Sequence, residues 1–234
     1  MSSPTGLWRH IIRANDQRLS RLHDRKGNLT PLSRIFTHVP RAVSSYLLLR
    51  LLGKRPVLPW ISYSAIEVIE QKLAEKPSLV LEFGSGMSTV WFASHAKRVS
   101  SIEHDAAWFN IVNERINNDA LLRTKVEYRS ATDREPYTTY KAHSGERFDV
   151  ILFDGPWRAE CIKYHAHLIK PGGLLYLDNS DAESSSGEPG EIQRAEQWLI
   201  GFANKHNATI EYFTDFVPTM LFASEGMLVR MPEE

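Results

Sequence analysis

Apolar positions along this chain change their period near residue 79. Before that point they recur at helical spacing. Trp8, Ile11, Ile12, Leu19 and Leu22 are interleaved with Arg9, Arg13, Arg18 and Arg21. This pattern predicts a basic amphipathic helix ending near Gly27-Asn28. Pro31 and Pro40 interrupt the next stretch, so a second helix is expected over 41–52, starting at or just after Pro40. "GKRPVLPW" reads as an extended connector, and "SYSAIEVIEQKLAEK" as a third helix stopped by Pro77. From Leu79 onward, short apolar runs alternate with helical patterns. "LVLEF", "RVSSIEH", "KVEYRS", "RFDVILFDG", "GLLYLDN", "ATIEYFTDF" and "GMLVRM" read as seven strands. Helices are expected over 88–96, in "DAAWFNIVNERINN" with Asp105 as N-cap, in "RAECIKYHAHLIK" with Pro171-Gly172-Gly173 as its stop, and in "EIQRAEQWLIGFANKH". "RFDVILFDG" is almost continuously apolar, as suits a strand buried on both faces. The alternation predicts an α/β fold with a doubly wound, mostly parallel sheet. A basic helical N-terminal extension is expected over 1–60 and the α/β domain over 61–234. There is no internal repeat, and "DAESSSGEPG" reads as a loop.

The length of 234 residues suits one sizeable core with an appendage. A single cysteine, Cys161, excludes an internal disulfide and a cysteine-based metal site. The N-terminus lacks the long apolar core of a signal peptide, and "YLLLRLLG" is too short to span a bilayer and contains Arg50. A cytoplasmic location is expected. The formal charge of zero conceals a split: residues 1–60 hold eleven Lys/Arg against Asp16 and Asp24, a net of +9, and the remainder carries −9. Two kinds of explanation stay open. The basic segment packs on an acidic body, or it meets an anionic membrane surface, an acidic substrate or nucleic acid. No basic-aromatic RNA motif or recognition helix supports nucleic acid.

The chemistry concentrates in "LVLEFGSGMSTVWFA". Doubly wound sheets bind ligands at the carboxyl ends of their strands. Glu82, Gly84, Ser85 and Gly86 stand at such an end, where glycines permit close backbone approach. Glu82 would repel a dinucleotide pyrophosphate and suits a cationic amino-acid group instead. Thr89 also occupies the third-glycine place of a dinucleotide fingerprint. Glu103 ends the second strand, well placed to accept hydrogen bonds from ribose hydroxyls.

"VLEFGSGMSTVWFA", "VSSIEHDAAWF", "FDVILFDGP" and "LIKPGGLLYLDNSD" resemble, in order and spacing, the successive motifs of class I S-adenosylmethionine-dependent methyltransferases. The resemblance covers residues 79–180 well and extends loosely to 231. It implies a seven-stranded sheet and S-adenosylmethionine as cofactor. Gly84, Ser85, Gly86, Ser88 and Thr89 would form the cofactor loop, with Ser88 where the family usually has a third glycine. Glu82 would lie near the methionine amino group and Glu103 at the ribose. His104, Ala131 and Thr132 would edge the adenine. Asp154 would face the cofactor and orient or deprotonate the acceptor. Asp154 with Asp178-Asn179 also resembles the Asp and Asp-Asn of cation-dependent O-methyltransferases such as the catechol and caffeoyl-coenzyme A enzymes, which would imply Mg²⁺. The same segment resembles uncharacterised bacterial methyltransferases for which no metal is assumed. There Asp154 contacts cofactor or substrate, and Asp178-Asn179 cap a turn.

Several further residues carry two readings. His143 is a general base or a surface residue. His165 and His167 diverge on a helix and make a poor metal pair. Trp157 and Arg158 line an acceptor pocket, or Trp157 packs. "PWISYSAI", with Trp60 and Tyr63, is a lid or a core aromatic cluster. Ser184 to Gly190 gates the acceptor site, and "FTDFVPTM" lies on the substrate side. The expected reaction is methyl transfer to an oxygen of a small molecule or of a cell-surface glycan or lipid-linked precursor, with peripheral membrane contact through the basic arm. Rival readings are an NAD(P)-dependent oxidoreductase, an aminopropyl transferase, and a non-catalytic membrane- or partner-binding module.

Overall fold

The structure is a computed structural model that describes residues 18–182 and 190–233. The expectation of a helix from Trp8 therefore lies mostly outside the described residues. Its end does not form as a helix. Residues 18–30 make turns and a bridge between His23 and Leu29. Asp24 Oδ1 accepts the Asn28 N–H at 2.8 Å and Gly27 takes a φ of +88°, so the side chain closes a turn in place of helical hydrogen bonds. The cations of this segment turn to the acidic body. Lys26 bridges Glu196 and Glu225, Arg18 meets Asp181, and the Arg25 N–H donates to Asp181.

Helix α1 (Leu32–Leu52) starts nine residues before the expected Arg41 and runs through Pro40. An internal proline costs about 3 kcal/mol. Tertiary contacts on both sides hold the helix: His38 Nδ1 lies 2.7 Å from Asp215 Oδ2, and Ser45 Oγ accepts the Thr219 N–H at 2.8 Å. Ser62 then caps α2 (Tyr63–Glu75) by accepting from Ala65 N.

The remaining elements alternate as read: β1 (Leu79–Phe83), α3 (Met87–His95), β2 (Arg98–Glu103), α4 (Ala106–Asn117), α5 (Ala120–Lys125), β3 (Val126–Ser130), α6 (Arg134–Thr138), β4 (Phe148–Phe153), α7 (Arg158–His165), β5 (Ile169–Leu177), α8 (Glu191–Lys205), β6 (Thr209–Phe216) and β7 (Ala223–Arg230). Asp105 caps α4 as expected. Asp119 caps α5, a short helix the periodicity did not reveal. Pro171-Gly172-Gly173 does not stop a helix. Helix α7 ends at His165 and a single 3₁₀ turn leads into β5, which contains all three residues. The register with β4 shifts there, and Gly172 and Gly173 pair with the tail through Pro232 and Met231.

The seven strands order as β3-β2-β1-β4-β5-β7-β6, with β7 antiparallel to both neighbours. Strand side chains alternate between two apolar layers. Val80, Val99, Val150, Leu152 and Leu174 pack with α2, α3 and α4. Leu81, Ile102, Ile151, Phe153 and Leu175 pack with α7 and α8. Each such buried side chain contributes about 1.5–3 kcal/mol. The chain reverses its direction of winding between β1 and β4. The switch point brings Glu82, Glu103, Asp154 and Asp178 to the carboxyl ends of four neighbouring strands.

Candidate active site

Glu82 is fully buried at the end of β1. Its Oε2 accepts from Thr89 Oγ1 at 2.6 Å and from Ser101 Oγ at 2.7 Å. Its Oε1 is buried with no partner. Burial raises its pKa from 4.5 to about 7, with the nearby hydroxyls of Ser88, Thr89 and Ser101 pulling the other way. Thr89 thus lies beneath the carboxylate and orients it. The same hydroxyl accepts the Gly86 N–H at 3.1 Å and ties the loop to the start of α3.

Gly84 has a φ of +90°, and a Cβ there would stand 2.6 Å from the Gly155 nitrogen. No other residue lets the β1 and β4 loops pass this closely. Ser85 bridges to β2 and β3. Its N–H and Oγ meet Glu103 Oε2 at 2.9 and 2.7 Å, and its Oγ lies 2.6 Å from the Tyr128 hydroxyl. Trp108 Nε1 donates to Ser85 O. Glu103 Oε1 accepts the N–H groups of His104 and Asp105, both at 2.9 Å, and His104 Nδ1 lies 3.0 Å away. The Glu103 carboxylate is therefore surrounded by the protein's own donors, three of them backbone N–H groups. Ala131 and Thr132 follow β3 at the open rim, with Ala131 N–H on Glu103 O.

Asp154, Asp178 and Asn179 converge, as the metal expectation requires, and Arg158 packs beside them. Its Nε donates to Gly155 O at 2.8 Å. Nη1 reaches Asp178 O at 2.6 Å and Asn179 Oδ1 at 3.5 Å. Nη2 reaches Asp154 O at 2.7 Å and Asp154 Oδ1 at 3.1 Å. A guanidinium carries five N–H donors in a planar fork, and this site offers five acceptors. Burial and the Asp154 charge push Asp178 well above the usual carboxylate range, and burial raises Asp154 as well. Among the described residues, no group of three or more His, Cys, Asp or Glu is arranged to hold a metal. Arg158 takes Asp154 Oδ1, Asn179 Oδ1 and three backbone carbonyls, and none of these bonds goes to the Asp178 carboxylate, so the expected Mg²⁺ set of Asp154, Asp178 and Asn179 stays together at the strand ends.

Sequence reading missed Tyr137. Its ring lies 5.6 Å from Trp157, 6.2 Å from His104 and 5.9 Å from Phe83. Its hydroxyl is buried without a partner, and a Cβ at Gly155 would overlap it. No local signal marks this residue, because α6 is five residues long and has no periodicity. Trp60 approaches the loop after β1, 6.4 Å from Trp108, whereas Tyr63 is core, under Arg41 and against Ser45. Of the "PWISYSAI" segment, Tyr63 thus belongs to the core. His143 is exposed before β4 and His165 is structural. The His165 Nδ1 bonds Cys161 O, Nε2 accepts the Lys141 N–H, and burial lowers its pKa to about 4. Asp215 of "FTDFVPTM" is fully buried under α1 and α2, where it binds Ser64 and His38. The expected gate is outside the described residues except for Gly190.

No protein-family model matches the chain, and no curated protein sequence does. Solved structures match. An O-methyltransferase from Bacillus cereus in complex with S-adenosylhomocysteine is 17% identical over 85% of this chain and 95% of its own, with a TM-score of 0.61. The chain has the fold of the S-adenosylmethionine-dependent methyltransferases. The O-methyltransferase TomG from Streptomyces achromogenes, involved in tomaymycin synthesis and complexed with S-adenosylmethionine, is 16% identical over 82% of this chain and 89% of its own (TM-score 0.59). An rRNA methylase from Streptococcus thermophilus is 15% identical over 71% and 96% (TM-score 0.52). Neighbours with such different acceptors share this fold, so the fold does not name the acceptor.

Proposed function

We propose that this protein transfers a methyl group from S-adenosylmethionine to an oxygen of an acceptor. One observation carries the reading. Glu82 is a buried carboxylate with one oxygen held and the other unpartnered, beside the tightest backbone crossing of the site. An ammonium group satisfies that oxygen; a phosphate would be repelled. Glu103, fixed by three backbone N–H groups, takes ribose hydroxyls once Ser85 Oγ and His104 Nδ1 turn away. Tyr128 and solvent receive those two side chains. His104, Ala131 and Thr132 edge the adenine, beside Trp157 and Tyr137.

When bound, S-adenosylmethionine supplies an electrophilic methyl carbon on a sulfonium. The protein aligns the acceptor oxygen with it. Asp154 is the catalytic residue. One oxygen is held by Arg158 and the side chain is partly open, so the carboxylate accepts the acceptor hydroxyl's hydrogen bond and then its proton. Its raised pKa strengthens it as a base. Arg158 provides a fixed positive charge beside Asp154. The acceptor is a hydroxyl of a small molecule or of a glycan or lipid-linked precursor.

Calorimetry with S-adenosylhomocysteine tests this. The expected result is a micromolar Kd, about −8 kcal/mol, weakened at least tenfold in Glu103→Ala. No heat and no thermal stabilisation at millimolar ligand would overturn the proposal.

A further inference from the structure

Helix α1 is about 30 Å long and only one face of it is used. His38, Ala42 and Ser45 are buried against the body. Along another edge, Leu32, Phe36, Val43, Leu47 and Leu51 form a stripe at helical spacing, with Leu32, Phe36 and Leu51 exposed at 67, 78 and 74%. Leu48 and Leu52 extend it at the C-terminal end. A contiguous apolar strip of this length is uncommon on a monomer's surface and marks something that covers it.

Charge identifies what covers it. No Asp or Glu occurs between Asp24 and Glu67, and α1 itself carries none. Arg50, Lys54 and Arg55 stand at the C-terminal end of the stripe, and Arg34 lies nearer the body, over Phe213. Among the described residues they face aromatic rings or solvent and have no carboxylate partner. A second copy of the chain would bring the same patch to itself, placing cation against cation with no acid to pair. An apolar stripe edged by Lys and Arg matches the interface of an anionic bilayer, where leucines enter the acyl boundary and cations meet phosphates. The helix does not span, since no described helix is long and apolar enough to cross a membrane.

We propose that α1 is an in-plane membrane-docking helix, which binds the protein to anionic lipid and presents its acceptor site at the bilayer surface. The helix is fastened where this matters. His38 and Ser45 anchor it to Asp215 and Thr219, at the end of β6 and the loop after it. That is the sheet end that also carries Asp154 and Asp178. The acceptor part of this inference rests on the methyltransferase reading and selects its lipid-linked branch; the docking surface does not depend on it.

The test is co-sedimentation of the full chain with vesicles of phosphatidylcholine, with and without about 30 mol % phosphatidylglycerol. Wild type is expected to bind the anionic vesicles only, less well in ~0.5 M salt. Phe36→Glu with Leu51→Glu reduces binding about tenfold or more, while Leu121→Glu, an exposed site on α5, leaves it unchanged. If the first pair unfolds the protein, Arg50→Gln with Lys54→Gln reads the electrostatic part. Failure of wild type to bind anionic vesicles overturns the proposal, as does binding that none of these changes weakens. So does a wild-type dimer in light scattering that Phe36→Glu with Leu51→Glu dissolves, since the stripe would then be a self-interface. Calorimetry with S-adenosylhomocysteine on the same samples separates the two readings. Vesicle binding without cofactor heat would keep the surface and remove the acceptor assignment.

Discussion

Glu82 yields the sharpest quantitative test, because its ionisation and the cofactor's amino group are linked. With a pKa of about 7 in the free protein, about one-tenth of it is ionised at pH 6 and nine-tenths at pH 8. A ligand that brings an ammonium to Oε1 binds the ionised form. Affinity for S-adenosylhomocysteine should therefore fall about tenfold, or about 1.4 kcal/mol, from pH 8 to pH 6. Binding at pH 6 should release close to one proton, read as a dependence of the calorimetric heat on the buffer's ionisation enthalpy. Glu82→Gln keeps the shape and removes the charge. It should flatten the pH profile and cost about 1.5–3 kcal/mol of affinity, the range of one charged hydrogen bond. Stability should move the other way. Because the folded-state pKa is raised, the stabilising contribution is present below pH 4.5 and is lost as pH rises to about 7. The loss is on the order of 3 kcal/mol. Unliganded Glu82→Gln should thus melt at least as high as wild type at pH 8 while binding cofactor worse. A wild-type affinity unchanged between pH 6 and pH 8, or full affinity in Glu82→Gln, would refute the role of Glu82.

Two other changes probe the rest of the site. Arg158→Met leaves Asp154 without its cation and three carbonyl oxygens without a donor. A cost of about 3 kcal/mol is expected, the low end for a broken buried pair because Asp154 is 31% open. A melting temperature within about 2 °C of wild type would contradict the five-acceptor assignment. Tyr137→Phe removes a buried hydroxyl that has no partner in the unliganded protein. Thermal melts should show stability unchanged or raised by about 1 kcal/mol. A clear loss would mean the hydroxyl has a partner that the fold alone does not reveal.

Much of the sheet was legible because a strand buried on both faces has little choice of residues. "LVLEF" and "FDVILF" announce β1 and β4, and a carboxylate or glycine in such a run stands out. Glu82, Gly84, Glu103 and Asp154 stand out this way, and the fold brings them to neighbouring strand ends. Helix starts were legible where a short polar side chain does the capping, as at Asp105. Two of the errors share a cause, which is that distant contacts outweighed a local signal. Pro40 reads as a helix boundary until His38 and Ser45 are seen gripping β6 and the loop after it on either side. Gly172-Gly173 reads as a helix stop until the C-terminal tail is seen pairing with it.

By itself, then, the sequence determined the order of elements and which polar residues end the strands, since burial and backbone geometry constrain those positions residue by residue. Only the tertiary structure decided what those residues face. Asp154 and the pair Asp178-Asn179 are far apart along the chain, and in space they meet, with the guanidinium of Arg158 beside them. The leucines of α1 follow helical spacing along the chain, and in space they lie in the open. A periodic pattern states that an apolar face exists; which faces find a partner is settled by where the other helices and the sheet come to rest.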